Sequence, residues 1–187
     1  MKLLTCALII AGLAANTDLY ARPLVTINSG PKQVNGMQFC ARVEDTLTMI
    51  VSDDRKVVAK HYFCASSGPI STTAQVVTDQ AGNNYILLNY GEGHGTNAVR
   101  KYLKIYALPK DLTKLSQGMY DYLRTPISAA AGLTSGWVYR YQIEKLSCGG
   151  LRLLLALSID GPKQKVWTEP AQKTRIIDVN VPQSCVR

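Results

Sequence analysis

The stretch Tyr85–Ala107 reads YILLNYGEGHGTNAVRKYLKIYA and decides the fold. Its first arm, Tyr85 to Tyr90, is rich in aromatic and branched residues, and its second arm, Val99 to Ala107, alternates in character. Both patterns are typical of β-strands. Three glycines between positions 91 and 95 interrupt the run. The stretch therefore predicts two strands joined by a glycine-rich loop.

The alternation in the second arm separates two faces of one strand. One face is mostly apolar and consists of Lys101, Leu103, Ile105 and Ala107. The other is basic and rich in tyrosine and consists of Arg100, Tyr102, Lys104 and Tyr106. Because the apolar face must point inward, we expect the basic face to lie in solvent, where it could bind sugar, acidic polymer or protein. A solvated face that merely blunts strand pairing is the alternative.

The glycine-rich loop contains the better placed of the two histidines. His94 lies between two glycines, and Glu92 and Thr96 are near enough in sequence to approach its ring. It could act as a general base oriented by Glu92, but no nucleophile, two-histidine metal motif or cofactor signature accompanies it. We expect a partner contact or an incidental hairpin tip here, with no catalytic residue, metal or cofactor. The other histidine, His61, falls in a predicted strand, which indicates a structural role.

Turn residues recur about every 8 to 12 residues and separate segments with strand patterns. Residues 151–159 are nearly continuous in apolar character, which is typical of a central strand covered on both faces. The other predicted strands are 24–27, 37–43, 47–51, 57–63, 70–78, 137–143, 165–169 and 174–181.

After Pro109 the pattern changes from strand to helix. Asp111 could cap a short helix, because apolar residues then recur at helical spacing at Leu112, Leu115, Met119 and Tyr122. Residues 124–136 are small, polar and turn-rich, which indicates a long connection. The whole pattern predicts an all-β, mainly antiparallel fold, a single-domain sandwich or open barrel of about ten strands with one short helix.

Residues 1–21 have the parts of a secretory signal peptide: Lys2, an apolar run from Leu3 to Ala11, and small residues beyond. A membrane anchor would need about 18 uninterrupted apolar residues, and Asn16 ends this run too early. We expect a periplasmic or secreted protein with no transmembrane segment after signal removal. Residues 22–187 would then form one disulfide-braced β domain.

Four cysteines remain after export: Cys40, Cys64, Cys148 and Cys185. An even number in an oxidising compartment predicts two disulfides. Of the three pairings, Cys40–Cys64 with Cys148–Cys185 is preferred, because each bridge would join consecutive strands within one half of the chain. A zinc site is the alternative, but no two of these cysteines have the close spacing of zinc ligands.

The chain of 187 residues carries a net charge of +8, which favours anionic partners by long-range attraction. The charges are scattered along the sequence, so solubility alone is the competing explanation, and a nucleic-acid partner is not expected.

The favoured function is an exported, non-enzymatic binding protein, which could be inhibitor-like or immunity-like. Its partner would be a protein or an anionic envelope polymer, held by the glycine-rich loop and the basic tyrosine face. A cell-wall or glycan hydrolase is one alternative, but its paired carboxylates cannot be identified from sequence. A structural subunit of an envelope assembly is another.

Overall fold

The computed structural model describes residues 23–92, 100–112, 114–115, 128–131, 137–159 and 173–185. The ten strands in these ranges are β1 (Leu24–Ser29), β2 (Thr46–Asp53), β3 (Lys56–Cys64), β4 (Thr73–Thr78), β5 (Asn84–Glu92), β6 (Arg100–Ala107), β7 (Ser128–Ala131), β8 (Trp137–Lys145), β9 (Leu151–Ile159) and β10 (Thr174–Val179). One short helix, α1 (Gly68–Ser71), precedes β4. No helix in the described ranges is both long and apolar enough to cross a membrane.

The strands form three antiparallel sheets, so the all-β, antiparallel prediction is confirmed. Sheet A has the order β1-β2-β3, sheet B the order β4-β5-β6-β7, and sheet C the order β10-β9-β8. The opening stretch forms β5 and β6, which pair antiparallel with Tyr90 opposite Tyr102 and Glu92 opposite Arg100. Sheet B, with this hairpin at its middle, is the sheet that packs against both others.

Packing on both faces of sheet B follows from the alternation along β5. Ile86, Leu88 and Tyr90 are buried against sheet A, where they meet Leu47, Met49 and Phe63 among others. Tyr85 and Leu87 point the opposite way and are buried against sheet C, together with Leu103, Ile105, Leu151, Leu153, Leu155 and Val179. We call these two layers of packing the A/B interface and the B/C interface. The continuous apolar run of β5 is thus the signature of a strand covered on both faces.

The segment between β1 and β2 corrects one prediction. Residues 37–43 form no strand, although they alternate in character. Asn35 and Gly36 both have positive φ, 54° and 77°, and make a tight turn closed by Val34 and Met37. The Gln38 side chain then donates to the carbonyl oxygens of Cys40 (2.6 Å) and Ala41 (2.8 Å). These local bonds satisfy backbone acceptors that a strand would need for pairing.

Two further predictions shift position. The predicted strand 70–78 begins only at Thr73, because Gly68–Ser71 forms α1 with a proline in its first turn. The predicted long connection 124–136 contains β7, which pairs Ala130 with Leu103. Most of the predicted helix after Asp111, the predicted strand 165–169 and the predicted signal peptide lie outside the described residues.

β9 corrects another expectation. It is the middle strand of sheet C, and Leu151, Leu153 and Leu155 are buried as expected. Leu154, however, points to the outer face of the sheet and is 40% exposed. The strand is therefore covered on one face only, because no described element packs on the outside of sheet C.

Both predicted disulfides are confirmed, as Cys40–Cys64 and Cys148–Cys185. The first joins the irregular segment before β2 to the end of β3, with the Cα atoms 5.6 Å apart. The second joins the β8–β9 turn to the turn after β10, with the Cα atoms 6.2 Å apart. Each bridge therefore ties a connecting segment to its own sheet, which differs from the predicted strand-to-strand brace.

A buried carboxylate joins sheets B and C at the end of the molecule opposite the glycine-rich loop. Asp79 accepts hydrogen bonds from Asn83 N (2.8 Å), Asn83 Nδ2 (2.9 Å), Tyr85 Oη (3.2 Å) and Gly150 N (2.8 Å). Burial alone would raise the pKa of Asp79, but these hydrogen bonds outweigh it and hold the pKa below its ordinary value. The ionised carboxylate thus fixes the β4–β5 turn against the β8–β9 turn.

Candidate functional site

The basic tyrosine face of β6 lies inside the A/B interface rather than in solvent. Tyr106 is only 3% exposed, and Tyr102 and Lys104 are half-buried. The prediction of a solvent-facing surface is therefore wrong for Tyr106 and overstated for the other two. The physical reason is the second apolar layer: Leu103 and Ile105 do point inward, but toward sheet C, while sheet A covers the opposite face.

Aromatic rings from three strands meet on this face. Tyr90 and Tyr102 lie stacked with ring centroids 5.3 Å apart, and Phe63 of β3 meets Tyr90 edge to face at 5.4 Å. The Lys104 ammonium group lies 4.9 Å from the Tyr90 centroid and 6.0 Å from that of Tyr102. These distances fit a cation–π interaction between the ammonium group and the two rings.

His61 lies deeper in the same cluster and is 8% exposed. Its ring stacks on Phe63 and meets Tyr106 edge to face, both at 6.3 Å between centroids. Burial, and secondarily the positive charge of Lys104, lower the pKa of His61 to about 4. The imidazole is therefore neutral at pH 7, and its placement agrees with the structural role expected from sequence.

The outer end of the cluster contains Glu92, the last residue of β5, which is half-buried. Burial raises the pKa of Tyr90 far above its ordinary value, and the charge of Glu92 and its hydrogen bond with the Tyr90 side chain add to the effect. Burial likewise raises the pKa of Tyr106 to about 12. At neutral pH Tyr90 and Tyr106 are thus uncharged hydrogen-bonding groups.

Two serines hold the root of the glycine-rich loop. Ser67 N donates to the Gly91 carbonyl oxygen (3.3 Å), and Gly91 N donates to Ser67 Oγ (3.0 Å). Ser66 Oγ also donates to the Gly91 carbonyl (3.4 Å), and Ser67 Oγ lies 3.0 Å from Thr72 Oγ1. The loop therefore starts from a fixed point beside α1, which sequence reasoning did not identify.

The predicted site residues divide into three groups. Glu92, Tyr102, Lys104 and Tyr106 share one face of sheet B, as the alternation predicts. Arg100 lies opposite Glu92 in the ladder, while His94 and Thr96 lie outside the described residues. Reasoning from sequence missed Tyr90 and Phe63. Tyr90 was accessible in principle, because counting back from the two ends of the loop places it opposite Tyr102.

This cluster combines aromatic, hydroxyl and charged groups. In the part of the chain that the structure describes, no three His, Cys, Asp or Glu side chains come together as a metal site would require. The cluster offers π-faces, tyrosine hydroxyl groups, an ammonium group and a carboxylate at one end of the A/B interface. Such a set can make stacking, hydrogen-bonding and ionic contacts.

Comparison with known proteins places the chain in no family. No protein-family model, no curated protein and no solved structure matches it.

Proposed function

We propose that the protein is exported and acts as a binding protein, without catalysis, through the end of the A/B interface from which the glycine-rich loop emerges. Two intramolecular disulfides support export to an oxidising compartment, either the periplasm or the exterior. The partner would be a protein or an anionic envelope polymer.

The observation that carries the proposal is the position of Lys104. Its ammonium group is half-buried against two tyrosine rings, and no carboxylate among the described residues forms an ion pair with it. A partly desolvated charge that forms no ion pair among the described residues lowers stability, so such an arrangement is typical of a site that a partner completes. An acidic group of the partner would supply the missing charge.

The loop contributes in a different way. Three glycines in five residues make the segment after Gly91 costly to order, whereas the serine contacts fix its starting point. The fixed root places the start of this segment beside the Lys104 cluster, so both would meet the same partner. His94 and Glu92 are the side chains of residues 91–95 with strong polar reach.

The test begins by capturing the partner from envelope extract of the exporting host, with the mature protein as bait and chemical cross-linking. The purified partner is then titrated against wild type, His94→Ala, Lys104→Met and the control Lys60→Met. Lys60 is an exposed lysine of β3, so its variant removes the same charge away from the site. We expect His94→Ala and Lys104→Met each to weaken binding by about 1 to 3 kcal/mol and the control to bind normally.

Two results would contradict the proposal. Equal affinity of all four proteins for the partner would show that the A/B interface takes no part in binding. If the wild type hydrolyses cell-wall glycan and the folded His94→Ala variant does not, the alternative function as a hydrolase would be favoured.

A further inference from the structure

A second surface, independent of the A/B interface, lies at the edge of sheet C. β10 is the end strand in the order β10-β9-β8, so one of its edges has no partner among the described strands. Leu157 N donates to the Lys173 carbonyl oxygen (2.7 Å), which sets the phase of hydrogen bonding along this pair. Alternate residues point their backbone groups toward β9, so those of Thr174, Ile176 and Asp178 point outward.

This edge has few of the features that usually keep edge strands from pairing, and its charged residues are Arg175 and Asp178. β10 reads TRIIDV, with no proline and no lysine, and its register with β9 is unbroken over six residues. Of the other end strands of sheets A and C, β1 also lacks proline and lysine but contacts β4 of sheet B. The remaining two differ in sequence. β3 has Lys56 and Lys60 and an irregular register with β2, while β8 carries Arg140, Glu144 and Lys145.

The outer face beside this edge is apolar. Ile176 is 65% exposed and lies opposite Leu154, which is 40% exposed, on the neighbouring strand. Ala156 and Thr174 form the next pair, and their small size leaves a shallow cavity of about 390 Å³ over the sheet. On the other side of the apolar pair, the Arg152 guanidinium binds Asp178 with two hydrogen bonds, at 2.7 and 3.0 Å.

We propose that β10 pairs with β10 of a second copy of this chain, antiparallel about a two-fold axis at Ile176. The spacing of the outward backbone groups selects this register. With the axis at Ile176, Thr174 of each copy lies opposite Asp178 of the other, and all three outward residues find hydrogen-bonding partners. The two three-stranded C sheets would become one six-stranded sheet.

The side chains in this register are self-complementary. Ile176 of one copy contacts Ile176 of the other on the outer face, with Leu154 behind each. The Thr174 hydroxyl of one copy faces the Asp178 carboxylate of the other and can donate to it. The net charge of +8 on each copy opposes association, so added salt strengthens the dimer by screening this repulsion.

The first test is the mass of the mature protein in solution, measured by light scattering over a range of protein and salt concentrations. We expect the mass to rise from one copy to two with protein concentration, at lower concentrations in higher salt. Ile176→Lys places a charge at the centre of the contact and should yield monomer. Val57→Lys, at an exposed apolar residue of β3, is the control and should still form the dimer.

The second test fixes the register. Ile176→Cys should form disulfide-linked dimer under mild oxidation, because facing residues of such a pair have Cα atoms about 5.5 Å apart. Leu154→Cys, one strand further from the axis, should not. A wild type that stays monomeric throughout, a dimer that survives Ile176→Lys, or equal cross-linking of both cysteine variants would each overturn the proposal.

Discussion

The A/B and B/C interfaces use opposite faces of the same hairpin and differ in chemistry. The B/C interface is rich in leucine, and its buried carboxylate, Asp79, accepts four hydrogen bonds. The A/B interface contains a neutral buried histidine, tyrosines with raised pKa values and a half-buried lysine. The buried carboxylate of the first is fully hydrogen-bonded, whereas the second contains a half-buried charge and a histidine whose protonation would reduce stability.

The contrast indicates a division of labour within one sheet. Buried polar groups that are fully hydrogen-bonded fix a structure, and partly satisfied ones lower its stability. The Lys104 ammonium group lies over Tyr90 and Tyr102, toward the end from which the glycine-rich loop emerges, whereas Tyr106 and His61 lie further from the loop. The position of the lysine is why we assign binding to the loop end. Four experiments test this difference between the two interfaces.

The largest loss of stability is expected from Asp79→Ala, which removes the buried carboxylate of the B/C interface. It strands two buried donors, Tyr85 Oη and Gly150 N, and two more in the β4–β5 turn. The free energy of unfolding in urea, with disulfides intact, should fall by roughly 3 to 5 kcal/mol, since each stranded buried donor costs about 1 to 3. Glu44→Ala, at an exposed carboxylate in a surface ion pair, is the control and should change little. A small loss at Asp79 would mean that the two interfaces are not held differently.

As the pH falls, the A/B interface should lose stability before the B/C interface does. The unfolded chain protonates His61 below about pH 6.5, whereas the folded chain does so only near pH 4, so stability falls as the pH drops through this window. The full loss amounts to about 3 kcal/mol, at 1.36 kcal/mol per pKa unit. Asp79 acts in the same direction but in a separate, more acidic window, because its pKa is lowered from 3.8 and its stabilising contribution is lost only as the pH falls below that value.

Urea unfolding measured between pH 7 and 4 checks this expectation, with His61→Phe as the comparison protein. The variant should have a flatter dependence on pH in that range. Parallel curves for the two proteins would exclude His61 as the acid-sensitive group.

A smaller effect is expected where the two turns of the B/C interface meet. Gly150 has φ of +83°, and a Cβ there would lie 2.7 Å from the Asn180 carbonyl oxygen. Gly150→Ala should therefore cost about 2 to 3 kcal/mol, from strain and collision together. Gly82 has a similar φ of +80° with open space around it, so Gly82→Ala should cost only about 1 kcal/mol. Thermal unfolding of both proteins separates collision from strain, and equal losses would argue against close contact at Gly150.

The smallest change in stability is expected for Lys104→Met, which keeps the volume of the side chain and removes its charge. Losing the cation–π contact and relieving the desolvated charge offset each other, so stability should change by less than about 1 kcal/mol. The pKa of His61 should rise from about 4 but stay below 6.5, because burial is its larger cause. NMR titration of the imidazole checks this, and an unchanged pKa would place the lysine charge too far away to act.

Much of this arrangement could be predicted from sequence. The glycine-rich hairpin, the alternation along β6 and both cysteine pairings were local patterns, and the structure confirms them. Whether each face of a strand is covered does not follow from a local sequence pattern. Tyr85–Leu88 and residues 151–155 are similarly apolar, yet β5 is covered on both faces and β9 on one, since the neighbouring layer decides coverage.

The candidate site was predicted only in part for the same reason. Alternation placed Tyr102, Lys104 and Tyr106 together, but the burial of Tyr106 depends on sheet A, which is far away in sequence. Phe63 and His61 join the cluster through β3, and no spacing rule connects them to β6. The serine contacts to Gly91 come from the turn before α1, and no sequence pattern connects that turn to β5.

The partner's dissociation constant for Lys104→Met, compared with that for Lys60→Met, tests the central claim most directly. The A/B interface is proposed to tolerate a half-buried charge because a partner completes it. We therefore predict binding at least about five-fold weaker for Lys104→Met, with stability within about 1 kcal/mol of wild type and normal binding by the control. Unchanged affinity for Lys104→Met, or a loss of binding explained by an equal loss of folded protein, would contradict the account.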